Sequence, residues 1–164
     1  MKRSVIAVYV ENKYGVVARV SGLFMRRGFN IDSFTGRETD DPRYSRITIT
    51  LNGDDYTREQ LINQLKKLHN VKNVKLLESE SSVERELMVI KVRNTPEKRS
   101  EIMAAAEVYR AKIIDYTTDA MCIEVTGEPS KINAFIEVMK PLGIVEMCRT
   151  GVVALERGSS IMEK

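Results

Sequence analysis

The sequence predicts an α+β protein built of two ferredoxin-like βαββαβ domains in tandem. Three observations carry this reading. Apolar runs of period two and runs of helical period follow one another as strand, helix, strand, strand, helix, strand. That order then occurs a second time. Between the two lies Glu78-Ser79-Glu80-Ser81-Ser82, a small polar stretch that reads as a linker. Domains are therefore expected at 1–78 and 83–164, each with its helices on one face of an antiparallel sheet.

In the first domain, residues 3–11 are apolar on both faces, as in a central strand covered on one side and paired or covered on the other. Asn12-Lys13-Tyr14-Gly15 is a turn, and Val16, Val20, Leu23 and Phe24 recur at helical spacing after it. Gly28 stops that helix in the position glycine favours. A strand is expected over 29–35, and residues 45–51 alternate cleanly through Ile47, Ile49 and Leu51. Thr57 and Gln60 have the spacing of a capping box, which would start the second helix there. Leu61, Leu65 and Leu68 form its buried stripe, and a strand over 71–77 completes the unit.

In the second domain, residues 87–92 form a strand and Thr95-Pro96-Glu97 starts a helix carrying Ile102, Ala106 and Tyr109. Strands follow over 111–117 and 120–126. Glu128-Pro129-Ser130 begins a helix with Ile132, Phe135, Ile136 and Met139 inward. Residues 144–155 form a last strand, interrupted near Gly151. Met88, Met103, Met121, Met139 and Met147 fall at core-like positions and read as packing.

Composition narrows the function. The 164 residues include 43% hydrophobic and 30% charged ones, within the range of soluble globular proteins. No apolar run reaches the roughly 20 residues that span a bilayer, and no signal peptide is visible, so a cytoplasmic or at most organellar protein is expected. The net charge of +3 is spread among interleaved acids, without the basic stripe of a nucleic-acid binder. Cys122 and Cys148 are far apart with no Cys-x-x-Cys partner, so neither a metal site nor a disulfide is expected, and both read as buried or half-buried. His69 is the single histidine, at a helix end, capping it or facing water. The usual nucleophile–base pairs are therefore missing, and an enzyme is disfavoured.

Two polar elements could bind something. The turn 12–16 leads from a strand into a helix, whose first N–H groups lack internal partners and carry partial positive charge. Such an end can hold a carboxylate or phosphate, and Gly15 allows close approach. Asn12 could cap the helix or bind a ligand. A plain helix-starting turn is the commoner meaning of such residues. Asn30, Asp32 and Ser33 lie on the second strand, an edge in this topology, and an edge invites pairing with a second copy. Asn30 of one copy would then approach the Asn12 turn of the other. A polar edge kept soluble by its side chains is the simpler alternative.

An ordered series of motifs resembles one family. Residues 10–24 read Val-Glu-Asn-Lys-Tyr-Gly-Val-Val-Ala-Arg-Val-Ser-Gly-Leu-Phe, and 26–33 Arg-Arg-Gly-Phe-Asn-Ile-Asp-Ser. Then come Asp-Asp-Pro-Arg-Tyr-Ser-Arg-Ile-Thr-Ile (40–49), Val-Glu-Arg-Glu-Leu (83–87), Lys-Ile-Ile-Asp (112–115), Ala-Phe (134–135) and Arg-Thr-Gly-Val-Val-Ala-Leu (149–155). The series resembles the small regulatory subunits of acetolactate synthase (acetohydroxyacid synthase). The resemblance implies an N-terminal ACT domain, a homodimer through it, and a non-catalytic subunit that activates a catalytic large subunit. It implies feedback inhibition by a branched-chain amino acid, typically valine, in the biosynthesis of valine, leucine and isoleucine. Thiamine diphosphate, Mg and FAD are expected on the large subunit and no cofactor or metal on this chain. The implied effector site takes Asn12, Gly15 and Val16 from one chain and Asn30 and Ile31 from its partner. A stand-alone ACT-type amino-acid sensor is the alternative, and it would lack the Asp-Asp-Pro and Arg-Thr-Gly signatures.

Overall fold

A computed structural model describes residues 2–162, with the side chains of Lys2 and Arg27 outside the description. Met1, Glu163 and Lys164, inside the expected domain limits, lie outside the described residues. The chain divides into two compact units. One takes in the chain up to Val83 together with the segment from Val152 onward, and the other is Glu84–Gly151.

The first unit contains β1 (Lys2–Glu11), α1 (Val16–Arg27), β2 (Ile31–Glu38), β3 (Tyr44–Gly53), α2 (Asp55–Lys66) and β4 (Val71–Leu77). Its sheet runs β2-β3-β1-β4, with every neighbouring pair antiparallel. Strand side chains alternate between faces. Ile6, Val8 and Val10 of β1 thus meet Ile47, Ile49 and Leu51 of β3, and with Val16, Val20, Leu23 and Phe24 of α1 and Leu61 and Leu65 of α2 they form one core. β2 is an edge, as expected, though it starts at Ile31 and runs three residues past Thr35.

α2 begins at Asp55, two residues ahead of the expected Thr57. Asp54 is the cap, and its carboxylate accepts the Thr57 N–H at 2.7 Å. Hydrogen bonds from the Thr57 hydroxyl and N–H hold the Asp54 carboxyl below its ordinary range. Aspartate caps at least as well as threonine, so the first residue able to cap does so.

The opposite face of this sheet is also covered, by a segment from the far end of the sequence. Val5, Ala7 and Leu77 are buried together with Val152 and Ala154, and Met162 packs alongside. Residues 152–162 therefore pack with the first unit, whereas 83–164 was the expected second domain. Val153–Glu156 forms a short strand, which becomes β9 below. Arg46 Nη2 donates to the Ala154 carbonyl at 2.8 Å, and Lys75 pairs with Glu156 at 2.6 Å. Burial lowers the Arg46 guanidinium from its ordinary value, and Glu156 opposes that shift.

The second unit repeats the order with β5 (Ser82–Arg93, from Glu84 on), α3 (Arg99–Val108), β6 (Lys112–Tyr116), β7 (Ala120–Gly127), α4 (Pro129–Gly143) and β8 (Ile144–Arg149). β9 is the Val153–Glu156 strand of the first unit. The sheet order is β6-β7-β5-β8, the same topology as in the first unit. Met88, Ile90, Val92, Met121, Ile123, Val125, Phe135 and Met139 anchor the core. α3 starts at Arg99 because residues 95–98 form a separate turn, with the Thr95 carbonyl accepting from Lys98 and Arg99. Met103 and Met147 depart from the packing expectation at 49% and 48% exposure. Met147 lies opposite buried Ile90, but on an edge strand, where one side stays open. Cys122 is half-buried, Cys148 is exposed, and both are free thiols.

Two of the distant motifs meet in this unit. Glu86 is buried and accepts both Arg149 Nε and Nη2 at 2.7 Å, a bidentate pair across 63 residues. Thr150 Oγ1 accepts the Leu87 N–H at 3.1 Å beside it.

Candidate functional site

The turn between β1 and α1 is the most elaborated polar element of the first unit. Gly15 is the N-cap of α1 at φ 78°, ψ −4°, in the left-handed region where a Cβ is unfavourable. No side chain caps the helix and no acid occupies its first turn. The Val16 N–H reaches the Lys13 carbonyl at 3.3 Å and the Gly15 carbonyl accepts from Arg19, while no partner is recorded for the Val17 and Ala18 N–H groups among the described residues. A Cβ on Gly15 would meet nothing within 4 Å, so the space before the helix is open. An uncapped, acid-free N-terminus of this kind attracts an anion.

The sequence-predicted residues fall into two groups. Asn12 is exposed, and it ties the turn to the β2–β3 loop instead of capping α1. Its N–H donates to the Arg43 carbonyl at 2.7 Å and its Nδ2 to the Pro42 carbonyl at 2.9 Å. Val16 is 3% exposed with its side chain in the core, so it can offer a ligand only backbone. Asn30 is exposed just before β2, and Ile31 opens that strand, half-buried against the core.

The two groups lie at opposite ends of the sheet. Ile31 is opposite Leu51, and Leu51 is opposite Ser4, whereas the turn leaves β1 at Glu11. Seven residues at about 3.3 Å each put roughly 23 Å between these ends within one chain. Asn30 and Gly15 of the same chain cannot share a small ligand.

Around the turn stands a network that the sequence did not reveal. Glu11 accepts from Lys13 at 2.9 Å, Lys72 at 2.7 Å and Asn70 Nδ2 at 2.8 Å. Lys72, Lys13 and Asn70 together lower its pKa from 4.5 to about 2. Asn70 Oδ1 accepts Arg19 Nη1 at 2.7 Å, and the Asn70 carbonyl accepts the Glu11 N–H at 2.9 Å. Asn70 sits in the α2–β4 connection, where no local pattern marks it. At the far end, beside Asn30, Phe29, Tyr56, Thr57, Gln60 and Gln64 line a depression of about 230 Å³. Among the described residues, no group of three or more His, Cys, Asp or Glu side chains is placed to hold a metal ion. No helix among them is long and apolar enough to cross a membrane.

The first unit is thus a βαββαβ fold with an uncapped turn before its first helix, and the second unit has the same topology. The family pattern "AHAS small subunit-like ACT domain" matches residues 6–73, and "Small subunit of acetolactate synthase" matches 85–158. The chain is 52% identical over 155 residues to a protein of Archaeoglobus fulgidus named "Probable acetolactate synthase small subunit", covering 94% of this chain and 96% of that one. It is 44% identical to the acetolactate synthase small subunit of Mycolicibacterium smegmatis, over 93% of this chain and 90% of the other. The crystal structure of the acetolactate synthase small subunit from Thermotoga maritima superposes with a TM-score of 0.88 at 41% identity, over 98% of this chain and 100% of that one. This chain belongs to the acetolactate synthase small-subunit family.

Proposed function

We propose that the chain is the regulatory partner of the acetolactate synthase catalytic subunit, raising its activity and making it sensitive to feedback by a branched-chain amino acid, with valine as the effector. The chain does no chemistry itself in this account, and thiamine diphosphate, Mg and FAD belong to the large subunit. The observation that carries the reading is the separation of Gly15 from Asn30 by the length of the sheet. Two copies joined along their β2 edges about a two-fold axis run antiparallel, so the start of one β2 faces the end of the other. Asn30 and Ile31 of one copy then approach the Asn12–Gly15 turn of its partner. The α-carboxylate would take the uncapped N-terminus of α1, and the partner's start of β2 would supply polar and apolar contacts to the rest.

The test is reconstitution. The chain should co-purify with the catalytic large subunit of its own source, raise its rate of acetolactate formation, and make that rate fall on addition of valine. Failure to associate, or a rate unchanged by the chain, overturns the reading.

A further inference from the structure

We propose that Asn70 is a positioning residue for the effector turn, acting through Glu11 and Arg19. The proposal rests on the effector-site reading above. Asn70 is 8% exposed and grips both ends of the turn at once. Glu11 is the last residue before the turn, held through its N–H and its carboxylate. Arg19 lies one helical turn after Gly15, held through Nη1. The amide orientation is fixed by its neighbours, because Oδ1 faces a cation and Nδ2 faces a carboxylate. The reverse orientation would set donor against donor and acceptor against acceptor.

The consequence is mechanical and electrostatic. With Glu11 and Arg19 clamped to one side chain, α1 cannot rock against β1, and the left-handed geometry of Gly15 stays set. Among the described residues no carboxylate lies within ion-pair distance of Arg19, whose one recorded hydrogen bond is to an uncharged amide. Helical side chains lean toward the helix N-terminus. Arg19 thus keeps its positive charge on the side of the uncapped turn. Glu11, saturated by Lys13, Lys72 and Asn70, does not neutralise it. Loss of Asn70 frees Arg19 to collapse onto Glu11 and loosens the turn.

The experiment titrates the synthase reconstituted from full-length chain and large subunit with valine. Asn70→Ala and Arg19→Ala should each raise the half-inhibitory concentration on the order of tenfold, the effect of losing one charged hydrogen bond. The double variant should shift no further than the larger single, because both cut one path. Arg19→Lys, which keeps a cation for Asn70 Oδ1, should move the value back toward that of the unaltered chain. A purely structural role would lower the thermal midpoint without this coupling. If Asn70→Ala does not fold, exposed Arg19 decides with its Ala and Lys variants. Gly15→Asp is the control. Loss of inhibition in Gly15→Asp with Arg19→Ala and Asn70→Ala within twofold of the unaltered chain overturns the positioning role alone. Retained inhibition in Gly15→Asp overturns the effector site itself, and the positioning role with it.

Discussion

Lys75 Nζ stands 2.6 Å from Glu156 Oε2, joining residues 81 apart in sequence and fastening β9 to β4. The pair marks where the end of the chain covers the outer face of the first sheet. Most of the stabilisation there comes from burial, since Val152 and Ala154 are 4% and 5% exposed. Burying a side chain of valine size contributes about 2 kcal/mol, whereas a partly exposed ion pair contributes up to about 1 kcal/mol. A chain ending at Gly151 should therefore lose on the order of 3 kcal/mol of first-unit stability. Lys75→Ala should lose no more than about 1 kcal/mol. Thermal unfolding of the three proteins checks both values, and an unchanged midpoint in the truncated chain would contradict the packing.

Glu11 supplies a pH signature. Its carboxyl is lowered from 4.5 to about 2 by Lys72, Lys13 and Asn70. A group with a depressed folded pKa adds stability that is complete above its unfolded value and is lost as pH falls through the folded one. The contribution of Glu11 should thus be whole above about pH 4.5 and disappear toward pH 2. Glu11→Gln should flatten the stability profile in that window and leave its shape near neutrality unchanged. Denaturant unfolding at several pH values measures this, and parallel profiles for the two proteins would contradict it.

The topology of both units was legible because it rests on local signals. Alternation gave β3, the stripe of Val16, Val20, Leu23 and Phe24 gave α1, and Gly28 marked its end. Helix starts were less legible because several residues compete to cap, as Asp54 did against Thr57. The apolar outer face of β1, Val5 and Ala7, left open whether that side is paired or covered, and did not point to Val152 and Ala154 as the cover. A contact over such a separation leaves no trace in local periodicity. Asn12 and Gly15 stood out through their turn, whereas Asn70 and Arg19 acquire meaning only when the fold brings two connections together.

The proposed dimer rests on β2 being the edge of its sheet. Light scattering at micromolar concentration should show a dimer. Thr35 lies near the middle of β2, so a two-fold axis through that edge sets it close to its own copy. Thr35→Glu would bring like charges together across the pairing and should weaken the dimer about tenfold. A monomer for the unaltered chain, or an unaffected dimer in the variant, would contradict pairing at this edge.

The most direct measurement is a valine titration of the reconstituted synthase with Gly15→Asp, each rate compared with that variant's own effector-free rate. The open space before α1 admits the new side chain, and aspartate is among the few residues that visit the left-handed conformation, at a cost of about 1 kcal/mol. Its carboxylate would occupy the front of the uncapped N–H groups and oppose the incoming anion. Two unit charges about 4 Å apart repel by roughly 4 kcal/mol at an effective dielectric near 20, and a third of that is already a tenfold loss of affinity. The account predicts that valine no longer inhibits at concentrations that silence the unaltered enzyme. Inhibition by valine at an unchanged concentration would remove the β1–α1 turn from the effector site.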